Sequence, residues 1–176
     1  MMDRRQFLMV GGGLFASLSG GIPLAMADDP VEIGMQGRTD GSHVWFDPVG
    51  LLVRPGQTIR WTNRDPGNSH SATAYHPDNF DRPQRIPKGA MAWNSDLLLP
   101  DESFSVTLTV PGVYDYYCLP HEHAGMVGRI IVANGAAEAE AFVGYADQEA
   151  GDIPEIALKA FPSIGDIIRQ ETVRKA

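Results

Sequence analysis

The sequence contains one cysteine, Cys118, among 176 residues, and basic residues are scarce beside acidic ones. A single cysteine excludes an internal disulfide and every zinc site that needs a cysteine pair. With 14 lysines and arginines against 22 aspartates and glutamates, the net charge is −8, which argues against nucleic acid as a partner. Charged residues make up 20% and hydrophobic residues 43%, a composition typical of one folded domain of ordinary size.

The N-terminal segment lacks the solidly apolar run of about 20 residues that a membrane-spanning helix needs. Instead, Arg4–Leu8 reads Arg-Arg-Gln-Phe-Leu, and a glycine-rich, weakly apolar stretch leads to Ala25–Ala27. The small residues at that end fit a signal-peptide cleavage site, and the paired arginines resemble a twin-arginine export signal. We expect residues 1–27 to be removed on export to the periplasm; an uncleaved membrane anchor is the disfavoured alternative.

Residues 28–133 show the pattern of short β-strands separated by turns. Between Phe104 and Val110, apolar residues alternate with serine and threonine, as in a half-buried antiparallel strand. Proline second and glycine third in Arg54–Gln57 suit a type II turn, and hence a hairpin-like reversal. Residues 75–100 are rich in proline without a clear period, so we expect a surface excursion there. About seven short strands predict an all-β fold, either a β-sandwich or a Greek-key barrel. The predicted strands are residues 31–35, 43–46, 51–53, 58–62, 104–110, 113–118 and 128–132.

Residues 134–176 differ in composition from the rest of the chain. Ala136–Phe142 is rich in helix formers, and Ser163 with Asp166 resembles a capping box at the start of a short helix. We predict a helical C-terminal extension. Its apolar side chains favour folding back over the β-domain. The alternative is a docking or dimerisation element that presents them to a partner.

The segment from Cys118 to Met126 concentrates the chemistry of the chain. It places a thiolate, the imidazole of His121 and a thioether on one short loop between two predicted strands. Soft sulfur ligands with imidazole select copper, and two histidines with one cysteine and a weak axial methionine form the blue-copper set. A second histidine must come from elsewhere. His70, which follows the strand ending near Asn63, is the natural candidate.

These residues resemble the cupredoxins, and among them the plastocyanin, pseudoazurin and amicyanin type, whose ligand loop reads Cys-x-x-His-x-x-x-x-Met. Residues 53–63 carry a similar upstream run, Val-x-Pro-Gly-Gln-Thr-Ile-x-Trp-x-Asn, and the likeness covers residues 31–133. The resemblance implies a Greek-key β-sandwich over residues 28–133 with one type 1 copper. The implied ligands are His70, Cys118 and His121 in equatorial positions and Met126 in the axial position.

Ser71 departs from the family pattern, because many members have asparagine directly after the upstream histidine, where it ties the ligand loop. We therefore do not carry the asparagine contact, with its tuning of the sulfur, over to Ser71. His123 competes with His121 for the ligand role, but the loop spacing favours His121, and we expect His123 to face solvent. Residues to which we assign structural, surface or packing roles are His43, His76 and Met91.

Four protein ligands would fill the coordination sphere of the metal, whereas a catalytic metal keeps an open position. We therefore predict a carrier of single electrons and not an enzyme. By analogy with the family, electrons pass through His121, and Tyr117 beside the thiolate offers a second route. Copper storage or delivery, and the electron-entry subunit of a copper enzyme, are the alternatives. The apolar surface expected around His121 comprises Leu119, Pro120, Ala124, Gly125 and Met126.

Charge points to the kind of partner. Loss of residues 1–27 would leave 21 acidic and 12 basic residues, a net charge of −9. Such a charge favours a basic docking face on the partner. We expect a redox protein such as a c-type cytochrome or a reductase, with no nucleic acid and no membrane contact after signal cleavage.

Overall fold

Two β-sheets form the centre of the molecule. A computed structural model describes residues 29–40, 43–146 and 149–175, so the predicted signal peptide, residues 1–27, lies outside the described residues. None of the helices in this described part is long and apolar enough to cross a membrane. The elements are β1 (Val31–Gly37), β2 (Val44–Asp47), β3 (Gly50–Val53), β4 (Gln57–Asn63), β5 (Thr73–Ala74), β6 (Ser103–Leu108), β7 (Gly112–Tyr117), the 3-10 helix η1 (Leu119–Ala124), β8 (Val127–Val132), α1 (Ala136–Ala139), α2 (Glu155–Ala160), α3 (Ile164–Gln170) and β9 (Thr172–Val173).

The two sheets pack against each other through their apolar faces. The first has the strand order β2-β1-β4-β6 and the second β5-β7-β8-β3-β9. Both are mixed, because β1 runs parallel to β4 and β3 runs parallel to β8. Between them, the ring of Tyr116 on β7 lies 5.3 Å from that of Trp61 on β4 and 4.8 Å from that of Phe46 on β2. Among the described residues the predicted sandwich is therefore confirmed, and the barrel alternative is wrong.

Local sequence signals predict local geometry correctly but not strand pairing. The turn at residues 54–57 forms, with Gly56 at φ +90° and the N–H of Gln57 donating to the carbonyl of Arg54 at 3.1 Å. It does not make a hairpin, because β3 and β4 belong to different sheets. The cap of α3 also forms, since the hydroxyl of Ser163 accepts a hydrogen bond from the N–H of Asp166 at 3.0 Å.

Residues 75–100 are only in part the surface excursion that their composition predicts: most are exposed or half-buried, but a few enter the core. Ile86 and Trp93 are buried in the main core, where the ring of Trp93 lies 5.7 Å from that of Trp61. Prolines interrupt the segment, so its buried residues follow neither a strand nor a helix period. Met91, predicted to pack, is instead 86% exposed.

The described part of the C-terminal extension folds back onto the second sheet, as predicted. β9 pairs with β3 at the sheet edge, a strand that the sequence analysis did not predict. Ile167 of α3 is fully buried, and a Cβ added at Gly50 would lie 2.8 Å from its side chain. Ala157 of α2 packs in an apolar cluster with Tyr117. The extension thus covers apolar surface beside the predicted ligand loop.

Candidate metal centre

The loop between β7 and β8 carries three of the four predicted ligands. Cys118 directly follows β7, and its N–H donates to the carbonyl of Met126 at 3.0 Å, while the N–H of Met126 donates to the carbonyl of His121 at 3.2 Å. Gly125 ends η1 in the left-handed conformation, with φ 76°, which glycine adopts without strain. These hydrogen bonds, together with the pairing of β7 and β8, hold the ends of the loop close together.

His70 reaches this loop from a distant part of the chain. Its backbone N–H donates to the carbonyl of Leu98 at 3.1 Å, and the backbone N–H of Leu98 donates to the carbonyl of His70 at 2.7 Å. The Nδ1 atom of His70 lies 3.6 Å from the Sγ atom of Cys118, and the Nδ1 atom of His121 lies 3.4 Å from the same sulfur. The three side chains place one donor atom each within 4.8 Å of one another. The structure thus brings the three residues together; their role as ligands stays a prediction.

The four predicted ligands differ in burial. His70, Cys118 and Met126 are fully buried, whereas His121 is partly exposed. Met126 belongs to the same apolar core cluster as Cys118. His123, the competing candidate on this loop, is exposed, in agreement with the solvent-facing position predicted for it.

Ser71, the residue at which this chain departs from the resemblance, contacts both Cys118 and the loop that follows it. Its backbone N–H donates to the Sγ atom of Cys118 at 3.3 Å. Its hydroxyl accepts a hydrogen bond from the N–H of Leu119 at 2.8 Å and lies 3.0 Å from the hydroxyl of Thr73. Ser71 therefore contacts the Cys118 sulfur through its backbone and the following loop through its side chain.

Burial sets the protonation of the donor atoms. It raises the pKa of the Cys118 thiol to about 11, although hydrogen bonds from Ser71 oppose the rise. Burial lowers the pKa of His70 despite the opposing contact with Asp65, and it lowers the pKa of His121 together with the neighbouring His70. At neutral pH both imidazoles are therefore neutral and can ligate, whereas a metal must displace the thiol proton.

Asp65 is a site residue that the sequence analysis missed. Its Oδ2 atom lies 3.1 Å from the Nε2 atom of His70, and its side chain is 1% exposed. Burial raises the pKa of this carboxyl, but hydrogen bonds from Asn68, Gly67 and His70 outweigh it and leave the pKa below its usual value. In the sequence, the Asp-Pro-Gly run at residues 65–67 resembles an ordinary turn, which gives no signal of this contact.

Glu122 links the ligand loop to the C-terminal extension. It is buried, it accepts a hydrogen bond from the hydroxyl of Tyr75 at 2.5 Å, and it pairs with the guanidinium of Arg82. Arg82 also pairs with Asp152 of the extension at 2.6 Å and lies over the ring of Tyr117. Tyr117 is only 1% exposed, so the expected second route through it does not open directly to solvent.

The surface around His121 differs from the expected one. Gly125 and Met126 are buried rather than exposed. Helix α2 lies over the end of the loop, where a Cβ added at Gly125 would meet Ile156 at about 3.5 Å. Ile156 is 52% exposed and adds apolar surface that the sequence did not assign to this face. The expected apolar residues that are exposed are Leu119, Pro120 and Ala124.

The donor set fits a copper ion of the blue type. A buried thiol, two imidazole nitrogens near it and a buried methionine on the same loop provide the soft and borderline ligands of such a site. The loop hydrogen bonds and the His70–Leu98 pairing fix the backbone on which these groups stand. His70, Cys118, His121 and Met126 are therefore the residues that would hold the ion.

Comparison with known proteins agrees with this geometry. Residues 33–133 match the sequence model of a family described as copper-binding proteins of the plastocyanin/azurin family. A chloroplast plastocyanin of Hordeum vulgare is 38% identical over 108 residues, which are 61% of this chain and 64%, just under two thirds, of that protein. A plastocyanin of Sambucus nigra is 38% identical over 104 residues, 58% of this chain and 99% of that protein.

Two solved structures are similar over more of the chain. A pseudoazurin from Sinorhizobium superposes with a TM-score of 0.50 at 26% identity, covering 81% of this chain and 98% of that one. A pseudoazurin from Methylobacterium extorquens AM1 gives a TM-score of 0.52 at 20% identity with the same coverages, a likeness of fold.

Proposed function

Because the chain belongs to the plastocyanin/azurin family of copper-binding proteins, we propose that it is an exported blue copper protein that carries single electrons between redox partners. The observation that carries this proposal is the convergence of His70, Cys118 and His121, whose donor atoms lie within 4.8 Å of one another. Met126 completes the proposed ligand set from the same loop. When bound, the copper supplies one electron by cycling between Cu(II) and Cu(I).

The side chains around the site favour electron transfer over catalysis. A sphere filled by four protein ligands leaves no open position for a substrate or a reactive water. His70, Cys118 and Met126 are fully buried and keep water away from the sulfur. The hydrogen bonds at Cys118 and Ser71 hold the thiolate in place, so little of the protein has to move when the charge of the site changes.

We propose that electrons enter and leave the site through the partly exposed side chain of His121. Leu119, Pro120 and Ala124 are exposed apolar residues of the same short loop, and Ile156 of α2, beside Gly125, adds to this surface. The flank at Tyr117 is covered by Tyr75 and Arg82, so a partner at that flank would meet the covering residues first. We therefore place partner docking at the His121 face.

The proposed partner is a redox protein with a basic docking face, such as a c-type cytochrome or a reductase, met in the periplasm. The charge of −9 on residues 28–176 supports this choice through electrostatic steering. The twin-arginine pattern at Arg4–Leu8 supports the export that the proposal requires.

A reductive titration of the copper-loaded protein tests the proposed function. We expect one copper per chain and an intense blue band that one electron equivalent bleaches and reoxidation restores. Rapid transfer of the copper to a weak chelator would instead favour storage or delivery. A requirement for a second metal-bearing subunit before any reoxidation would favour the electron-entry role in a copper enzyme.

A further inference from the structure

His70 faces the proposed copper site with one ring nitrogen and Asp65 with the other. Its Nδ1 atom lies 3.6 Å from the Sγ atom of Cys118, and its Nε2 atom lies 3.1 Å from the Oδ2 atom of Asp65. A neutral imidazole carries its proton on one nitrogen only. A carboxylate at Nε2 holds the proton there and leaves the lone pair of Nδ1 directed at the site.

Asp65 sits in a pocket built to hold a carboxylate. Besides His70, it accepts hydrogen bonds from the N–H of Gly67 and the side-chain amide of Asn68, both at 2.8 Å. Each of these partners is a donor, the arrangement that suits an acceptor-only, ionised carboxylate. The side chain is 1% exposed, so its charge acts on His70 with little screening by water.

Residues of the first sheet hold this carboxylate in place. The side-chain oxygen of Asn63, at the end of β4, accepts the N–H of Asp65 at 2.9 Å. Its amide donates to the carbonyls of Asn68 at 2.8 Å and Leu98 at 2.9 Å. Gly37, at the end of β1, leaves the space that the carboxylate fills, because a Cβ there would lie 1.7 Å from the Oδ2 atom of Asp65.

We propose that Asp65 is a positioning residue that lowers the reduction potential of the copper site by holding His70 and placing a buried negative charge behind it. This inference rests on the proposed function. A carboxylate bonded to Nε2–H raises the basicity of the ligating nitrogen. Its charge stabilises the more highly charged Cu(II) state more than Cu(I). The Asp65 carboxylate therefore favours the oxidised, Cu(II) form of the site.

Replacement of Asp65 by Asn tests the proposal, with Asp78→Asn as the matched control. The Oδ2 atom of Asp78 also lies near a histidine, 3.5 Å from the Nδ1 atom of His76. Asp78 is 79% exposed, however, and is not part of the proposed copper site. In Asp65→Asn we expect the affinity for Cu(II) to fall about 10–100-fold. Each tenfold loss not shared by Cu(I) raises the potential by about 59 mV. The blue band should persist, since all four ligands remain.

The outcomes separate this inference from the proposed function. If the wild-type protein is blue and redox-active but copper-loaded Asp65→Asn keeps the wild-type potential, the role of Asp65 is wrong and the function stands. An equal rise of the potential in Asp78→Asn would also overturn it. A wild-type protein that binds no copper, or that stays colourless when copper is bound, would contradict the proposed function itself.

A measurement on the wild-type chain does not depend on how the variant folds. In the reduced, copper-loaded protein, the Nε2 proton of His70 should give a resolved NMR signal that exchanges slowly with water, because it is bonded to a buried carboxylate. A proton that exchanges too fast to be observed would overturn the contact with Asp65. Gly37→Ala, which puts a methyl group where the carboxylate lies, should shift the potential in the same direction as Asp65→Asn.

Discussion

The ring of Tyr75 lies against the ring of Tyr117, with 4.4 Å between their centroids and 32° between their planes. Tyr117 immediately precedes Cys118, so Tyr75 covers the flank of the proposed copper site. Phe161 of the C-terminal extension packs edge-on against Tyr75 at 6.1 Å, and Arg82 ties Glu122 of the ligand loop to Asp152 of the extension. The C-terminal extension therefore packs against the side of the proposed copper site that Tyr117 forms.

Truncation after Asn134 should destabilise the protein and leave its colour unchanged. The deletion removes β9 and the buried Ile167, and it uncovers Tyr117 and Val127. We expect the melting temperature of the copper-loaded protein to fall by more than about 4 °C, the shift that 1 kcal/mol causes in a domain of this size. Partner reduction through His121 should continue, although the deletion also removes Ile156 from the proposed docking surface. Unchanged stability with weaker partner binding would instead identify the extension as a docking element.

Point substitutions provide a matched control for the truncation. Ile167→Ala, at a fully buried position, should cost about 2–5 kcal/mol of unfolding free energy. Val143→Ala, at a position that is 87% exposed, should change it by less than about 0.5 kcal/mol. Equal effects of the two substitutions would contradict the packing of the extension on the sheet.

Met126→Leu should keep the blue colour and raise the reduction potential. The thiolate and the two imidazoles would remain as ligands, while the weakly binding thioether would be replaced by an apolar side chain that cannot ligate and that excludes water. Met91→Leu is the control, since Met91 is 86% exposed. Voltammetry of both variants checks this. A rise of the potential in both variants, or in neither, would count against Met126 as a copper ligand.

Alkaline titration should show tyrosines that resist ionisation. Burial raises the pKa of Tyr114 to about 12 and that of Tyr117 to about 12, and it raises the pKa of the three other tyrosines as well. These folded-state pKa values exceed the value near 10 in an unfolded chain. The buried, neutral tyrosines therefore contribute their full stabilisation of the folded protein below pH 10. It is lost as the pH rises through about 12. The five tyrosines are Tyr75, Tyr114, Tyr116, Tyr117 and Tyr145.

Absorbance at 295 nm follows this titration in the folded and the urea-unfolded protein. The unfolded chain should titrate near pH 10 and the folded chain only at higher pH, together with loss of structure. Five tyrosines that titrate near pH 10 in a fully folded protein would show that these rings are accessible to water.

Electron transfer to a basic partner should slow as salt is added. The net charge of −9 on residues 28–176 steers such a partner at low ionic strength, and the Debye length shortens to about 10 Å at 0.1 M. Stopped-flow rates with a basic c-type cytochrome at increasing salt measure this. A rate that stays flat or rises with salt would mean that docking is apolar or that the physiological partner is acidic.

The strands and the ligand loop could be predicted because their signals are local. Alternation over Phe104–Leu108 and the spacing from Cys118 to Met126 each lie within a few residues of sequence, and the structure places both as strand and loop. The proline-rich segment around Trp93 could not be assigned to the core, because its burial depends on contacts with Trp61, far away in the sequence.

Asp65 escaped prediction for the same reason. Its environment joins Gly37, Asn63 and His70, which come from two neighbouring strands and a loop. The two strands are brought together by the parallel pairing of β1 with β4. No local pattern distinguishes Asp65 from an ordinary turn aspartate. Strand β9 was missed because two residues are too few to show an alternating pattern.

The visible spectra of the copper-loaded wild-type protein and of Cys118→Ser decide whether this chain holds a blue copper site. We expect an intense blue band in the wild type and its absence in Cys118→Ser, because the band requires a copper–thiolate bond. The control His123→Ala should keep the band. A wild-type protein without the band, or a Cys118→Ser variant that stays blue, would contradict the assignment of the site.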